Sequence, residues 1–292
     1  MDSSRSKSLA FIFVLFLMAS CAGLTVSKTS PPPPLWSTPV FERLLAAVDG
    51  AEGPPFDAIR QILDDRIARA PVFPPATEKI RSDELFLLSP RNTAIRPSAW
   101  DRTFTWNWAE GGSSYILHAY SKDDEVFSRR MGDARRAVVA EHDAPFVPGV
   151  VYSWDVSLCV ERCNLHLSSR AALRPTFVIL SAAEAATVDR NLGAVAAWCE
   201  GAGIRRSEED VALSALTLAA GRLFLEEQQL LVKELKKRPN SALLHLVYSG
   251  ALSAMNSPYG ARDEYEKARI LREKEAGTQL PENPPAVPAK DE

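Results

Sequence analysis

The residues best suited to chemistry are four cysteines, four histidines and a few acidic pairs in a chain of 292 residues. The tightest constellation is Cys159-x3-Cys163-x2-His166. Two thiolates and an imidazole this close together suit a soft metal ion. In an oxidising compartment the same spacing reads as a Cys159–Cys163 disulfide beside a solvent-facing histidine. Export of the chain, argued below, favours the disulfide. On a straight strand the two Cα atoms would stand about 13 Å apart, whereas a bridge needs them within about 7 Å. The disulfide therefore requires Val160-Glu161-Arg162 to turn tightly. Cys199 falls on the apolar side of a helical pattern and reads as a small, reduced core residue.

No set of side chains pairs a nucleophile with a base. The chain has no Gly-x-Ser-x-Gly, no His-Glu-x-x-His and no phosphate-cradling glycine loop. His118, His142, His166 and His245 show no mutual metal-ligand spacing. Asp64-Asp65, Asp123-Asp124 and Glu208-Glu209 read as solvated surface and helix starts. The expectation is a non-enzyme with no metal and no cofactor. The net charge of −3 comes without a clustered basic surface, which argues against a nucleic-acid partner. Trp106, Trp108 and Trp154 lie in alternating patterns that point to core packing rather than to a sugar-stacking platform. Trp100, beside Asp101 and Arg102, is the candidate exposed aromatic.

The elements that would carry these residues begin with an export segment. Arg5 and Lys7 precede an apolar run from Leu9 to Met18, and Ala19-Ser20 leads into Cys21. A positive start, a short apolar core and small residues at the cut make a secretory signal. Leu17-Met18-Ala19-Ser20-Cys21 resembles the bacterial lipoprotein signal, with methionine where leucine is usual. The resemblance implies a signal over residues 1–20, lipidation of Cys21 as the mature N-terminus, and membrane anchoring by acyl chains. Ala22 and Gly23 supply no acidic residue after the cysteine, which in such envelopes implies the outer membrane, facing the periplasm. Pro31 to Pro34 make residues 21–37 a semi-rigid tether. No second apolar stretch reaches spanning length.

Residues 38–75 carry two helical patterns, Val40 to Val48 and Phe56 to Ala70, separated by glycines and prolines. From about Leu85 the period drops to two. Thr103 to Trp108, Ser114 to Tyr120, Glu125 to Arg129 and Tyr152 to Val156 read as short strands between turns. No strand is readable between Arg129 and Pro145. Phe104-Thr105-Trp106, the run from Pro148 to Val156 and the closing Arg174 to Leu180 resemble a fibronectin type III or related immunoglobulin-like domain. That resemblance implies a β-sandwich over residues 85–180.

After Leu180 the period is helical. Ser181-Ala182-Ala183-Glu184 is a capping box. Helical pairs then follow, Ser207 to Arg238 and Leu243 to Leu271, and a shift of 34 residues carries Leu218 to Leu252 and Ala220 to Ala254. That is the length of a tetratricopeptide unit. Ala261, Tyr265, Ala268 and Pro239 match that family, while Glu227 and Glu234 stand where it has small residues. The fold class expected is α+β and multidomain: an Ig-like β-sandwich, then a TPR-like α-helical array over residues 181–272, then a disordered tail over 273–292. The resemblance implies a concave surface that binds another envelope protein, with Leu213, Thr217, His245, Tyr248 and Leu252 as partner-binding positions. A glycan- or ligand-binding β-sandwich is the alternative function.

Overall fold

The computed structural model describes residues 39–68, 87–107, 114–122, 124–144, 146–160, 165–168 and 174–278. Cys21, the signal, the tether, Trp108, Cys163 and residues 279–292 lie outside the described residues, and so does the expected Cys159–Cys163 disulfide.

Two helices open the described chain, α1 (Pro39–Asp49) and α2 (Pro54–Ala68). Each begins at a proline, which suits a first helical position where no amide needs an intrahelical partner. Phe41, Leu44 and Val48 in α1, and Phe56, Ile59 and Leu63 in α2, recur at helical spacing and are fully buried.

Nine strands follow among the described residues: β1 (Leu87–Ser89), β2 (Thr93–Ile95), β3 (Thr103–Trp106), β4 (Ser114–Ser121), β5 (Asp124–Gly132), β6 (Arg136–Val138), β7 (Val151–Val160), β8 (Leu165–Ser168) and β9 (Thr176–Ile179). They form a three-stranded sheet, β1-β3-β6, and a second sheet ordered β2-β9-β7-β4-β5, with β8 also paired to β7. The pairings are antiparallel except for β2 with β9. Alternation decides which side is buried. Phe104 and Trp106 from one sheet and Tyr115, Leu117, Tyr152, Trp154 and Phe177 from the other share one core. Trp154 donates from Nε1 to the Pro90 carbonyl at 2.6 Å, so its buried N–H is satisfied. Strand β6 occupies the stretch where no strand was readable. It is three residues long with only Ala137 turned inward, too short to show a period.

Five helices follow among the described residues: α3 (Ala182–Gly201), α4 (Glu208–Ala220), α5 (Phe224–Leu235), α6 (Ala242–Ala254) and α7 (Pro258–Thr278). The capping box at Ser181 and Glu184 is fully formed. Helices α4 and α6 have 13 residues each, and their starts, Glu208 and Ala242, are 34 positions apart (242 − 208). The starts of α5 and α7, Phe224 and Pro258, have the same offset. Ser207 and Ser241 also share it, and each caps its helix by accepting the third amide, from Asp210 and Leu244. Helix α7 runs on to Thr278, past the Glu273 at which a disordered tail was expected.

The strands and the helices belong to one unit, Leu35–Glu292. Ala94 of β2 donates its amide to the Arg222 carbonyl in the α4–α5 turn at 2.8 Å. Thr93 Oγ1 accepts from the Leu225 amide at the start of α5, at 3.2 Å. Ala94 and Leu180 pack with Val188, Leu218 and Leu223 in a small apolar cluster between the layers. Arg96 closes the seam, with its guanidinium on the Glu226 carboxylate (Nε to Oε2, 2.9 Å) and on Asp189.

Candidate functional site

The five positions expected to bind a partner lie on α4 and α6. Leu213 is 0 % exposed, Thr217 4 %, and His245 and Leu252 7 % each. They are core residues, and only Tyr248 is half-buried. The reason is tertiary. Helices α1 and α2 pack across α4, and their apolar stripes enter the same cluster as Leu213, Leu216, Leu243, Leu244 and Val247. The chain's own N-terminal helices thus cover the apolar face of α4, while Leu252 packs with Met255 and Ala261 in a separate cluster.

The polar members of the five are spent locally. Thr217 Oγ1 donates to the Leu213 carbonyl one turn back, at 2.8 Å. His245 presents Nε2 to the Pro239 carbonyl at 2.9 Å and Nδ1 to Glu264 Oε2 at 2.5 Å. Each ring nitrogen thus faces a hydrogen-bonding oxygen, one on the α5–α6 turn and one on α7. Burial alone would raise the Glu264 carboxyl, but hydrogen bonds from His245 and Lys267 outweigh it and hold the group below the usual carboxylate range. The histidine therefore ties the α5–α6 turn to α7. Tyr248 accepts from Gln228 Nε2 at 3.2 Å and keeps part of its ring at the surface.

The residue that pins α2 in place was not singled out by its own sequence neighbourhood. Arg66, in the last turn of α2, donates from Nη2 to both carboxylate oxygens of Glu227 on α5, at 2.9 and 3.2 Å. Its Nη1 points to the Val247 carbonyl of α6 at 3.4 Å. The Glu227 side chain is 0 % exposed and that of Arg66 11 %. Burial pushes the Glu227 carboxyl up to about 6, against the opposing pull of the guanidinium. The one sequence signal was Glu227 itself, a carboxylate at a position where the repeat family has a small residue.

Elsewhere, Cys199 is fully buried, and burial first, then the neighbouring Asp210, pushes its thiol up to about 12. Such a thiol is inert at neutral pH. Trp100 is not a free surface ring. It packs on the β core against Phe104, Phe146 and Phe177, with ring centroids 5.7, 5.7 and 5.3 Å away. Among the described residues no group of three or more His, Cys, Asp or Glu side chains is arranged to hold a metal ion, and no helix is long and apolar enough to cross a membrane.

These features define a mixed α+β protein, with two sheets around an aromatic core and, among the described residues, seven helices around an aliphatic one. No family model matches the chain, and no curated protein matches it.

Proposed function

We propose that this protein is a lipid-anchored adaptor of a bacterial cell envelope, tethered through Cys21 and binding another envelope protein. It would combine an immunoglobulin-like, fibronectin-III-type β-sandwich with two tetratricopeptide-like helical units. The observation that carries this reading is the 34-residue recurrence of both helix starts and of the capping serines Ser207 and Ser241. Repeated helical hairpins build extended surfaces suited to proteins. The sandwich is supported by two packed sheets and by Tyr152, whose hydroxyl accepts the Val147 amide at 2.7 Å five residues upstream. A tyrosine bonded back to the chain in this way recurs in immunoglobulin-like domains.

Because α1 and α2 cover the apolar face of α4, the partner surface moves to what remains accessible around Tyr248 and Gln228, between α5 and α6. The test is crosslinking in the native envelope, with wild type and with Tyr248→Ala checked for folding by circular dichroism. A crosslinked protein that is lost in the folded variant supports the reading. If no protein is captured by either form, the adaptor function fails. Anchoring is tested separately: Cys21→Ser should leave the membrane fraction, and a variant that still sediments after a salt wash contradicts the lipid anchor.

A further inference from the structure

Where α5 meets the three-stranded sheet, the described residues enclose an open cleft of about 320 Å³. Trp100 and Asp101 from the β2–β3 loop, Thr105 from β3, Ser89 from the end of β1, and Leu225 and Gln229 from α5 line it. This is the lower end of the size range of small-ligand pockets, which favour seams between modules. It has room for about ten waters, or one sugar ring.

The lining selects the chemistry. Ser89 and Thr105 carry hydroxyls and Gln229 an amide, groups that both donate and accept. The one charged group, Asp101, is already engaged: its Oδ1 accepts the Thr103 amide at 3.1 Å and its Oδ2 faces Arg136 Nη2 at 3.3 Å. No charge is left over to select an ion. Trp100 and Leu225 add apolar surface, and the indole N–H of Trp100 is buried without an acceptor. An aromatic wall with neutral two-way hydrogen-bonding groups matches a ligand that has an apolar face and a rim of hydroxyls.

We propose that this cleft binds a single neutral saccharide residue. Arg96, Glu226, Thr93 and the Leu225 amide hold α5 against β2 beside the cleft. The site is independent of the adaptor surface, since Tyr248 does not line it.

The test titrates the full-length protein with glucose, galactose, N-acetylglucosamine, glucuronate and inorganic phosphate, following backbone amide shifts by NMR. At least one neutral sugar should shift the Thr105, Leu225 and Gln229 amides in a saturable way. Gln229→Ala and Thr105→Val, which leave the core untouched, should each weaken that sugar about fivefold, the loss of one hydrogen bond, while Tyr248→Ala leaves its affinity unchanged. Trp100→Phe retains the aromatic packing and should weaken binding. Saturable binding that prefers glucuronate or phosphate, shifts confined to other surfaces, or no shift with any sugar would each overturn the proposal.

Discussion

Arg66 and Glu227 meet across 161 positions of chain, one at the end of an N-terminal helix and the other inside the helical pairs. The guanidinium covers a carboxylate that has no access to water. It does so over Gly250 of α6: a Cβ added there would stand 2.8 Å from Arg66 Nε and Cζ. Three helices, α2, α5 and α6, are therefore fitted around one side chain.

Removing the arginine should cost far more than a surface ion pair would. Arg66→Ala leaves the Glu227 carboxylate buried and unpaired, a loss of about 3–5 kcal/mol. Replacing both residues with apolar ones, Arg66→Met with Glu227→Leu, should recover most of it. Urea unfolding measures both. A loss below about 1 kcal/mol for Arg66→Ala would mean that the pair behaves as a solvated one.

The same carboxyl sets a pH dependence. Its folded-state pKa is raised, from 4.5 to about 6, so folding favours the protonated form. That contribution is fully present below pH 4.5 and is lost as the pH rises through about 6. A shift of that size corresponds to about 2 kcal/mol. Unfolding measured against pH should show this loss in wild type, and Glu227→Gln should remove it. An unchanged profile in the variant assigns the titration to another group.

Gly250→Ala sets two effects against each other. An alanine in a helix interior is favoured by about 1 kcal/mol over glycine. The new methyl would overlap a guanidinium tied on two sides, at a cost of about 1–3 kcal/mol. The clash should win in wild type, so the variant is destabilised. In an Arg66→Ala background the sign should reverse, because only the helix preference remains. Thermal unfolding of the four proteins closes this double-mutant cycle, and the same sign in both backgrounds would refute the contact.

The seam between strands and helices should open before either core. Arg96→Ala strands Glu226, whose side chain is 9 % exposed, and should cost about 3 kcal/mol. Amide exchange should rise first at Ala94 and Leu225, whose hydrogen bonds cross the seam. Uniform loss of protection across the helices would show that the two layers unfold together.

Much of the architecture was legible locally. Phe41, Leu44 and Val48 mark one helix face, Phe104 and Trp106 one strand face, and Ser181 with Glu184 a helix start, because each signal needs only residues within a turn or a pleat of one another. The 34-residue recurrence was legible for the same reason, applied twice. Strand β6 was not, since three residues carry no period.

The sequence by itself determined which faces are apolar; it did not determine what covers them. Leu213, Thr217, His245 and Leu252 lie on helices whose apolar faces the sequence identifies, and from that pattern a core face and a binding face look alike. Only the tertiary structure decided between them, by laying α1 and α2 over α4, packing Leu252 on Met255 and Ala261, and spending His245 on Pro239 and Glu264. Arg66 and Glu227 show the same limit. A charge at a position suited to a small residue announces that something must meet it, but the partner is chosen by packing between helices far apart in the chain, which no local spacing encodes.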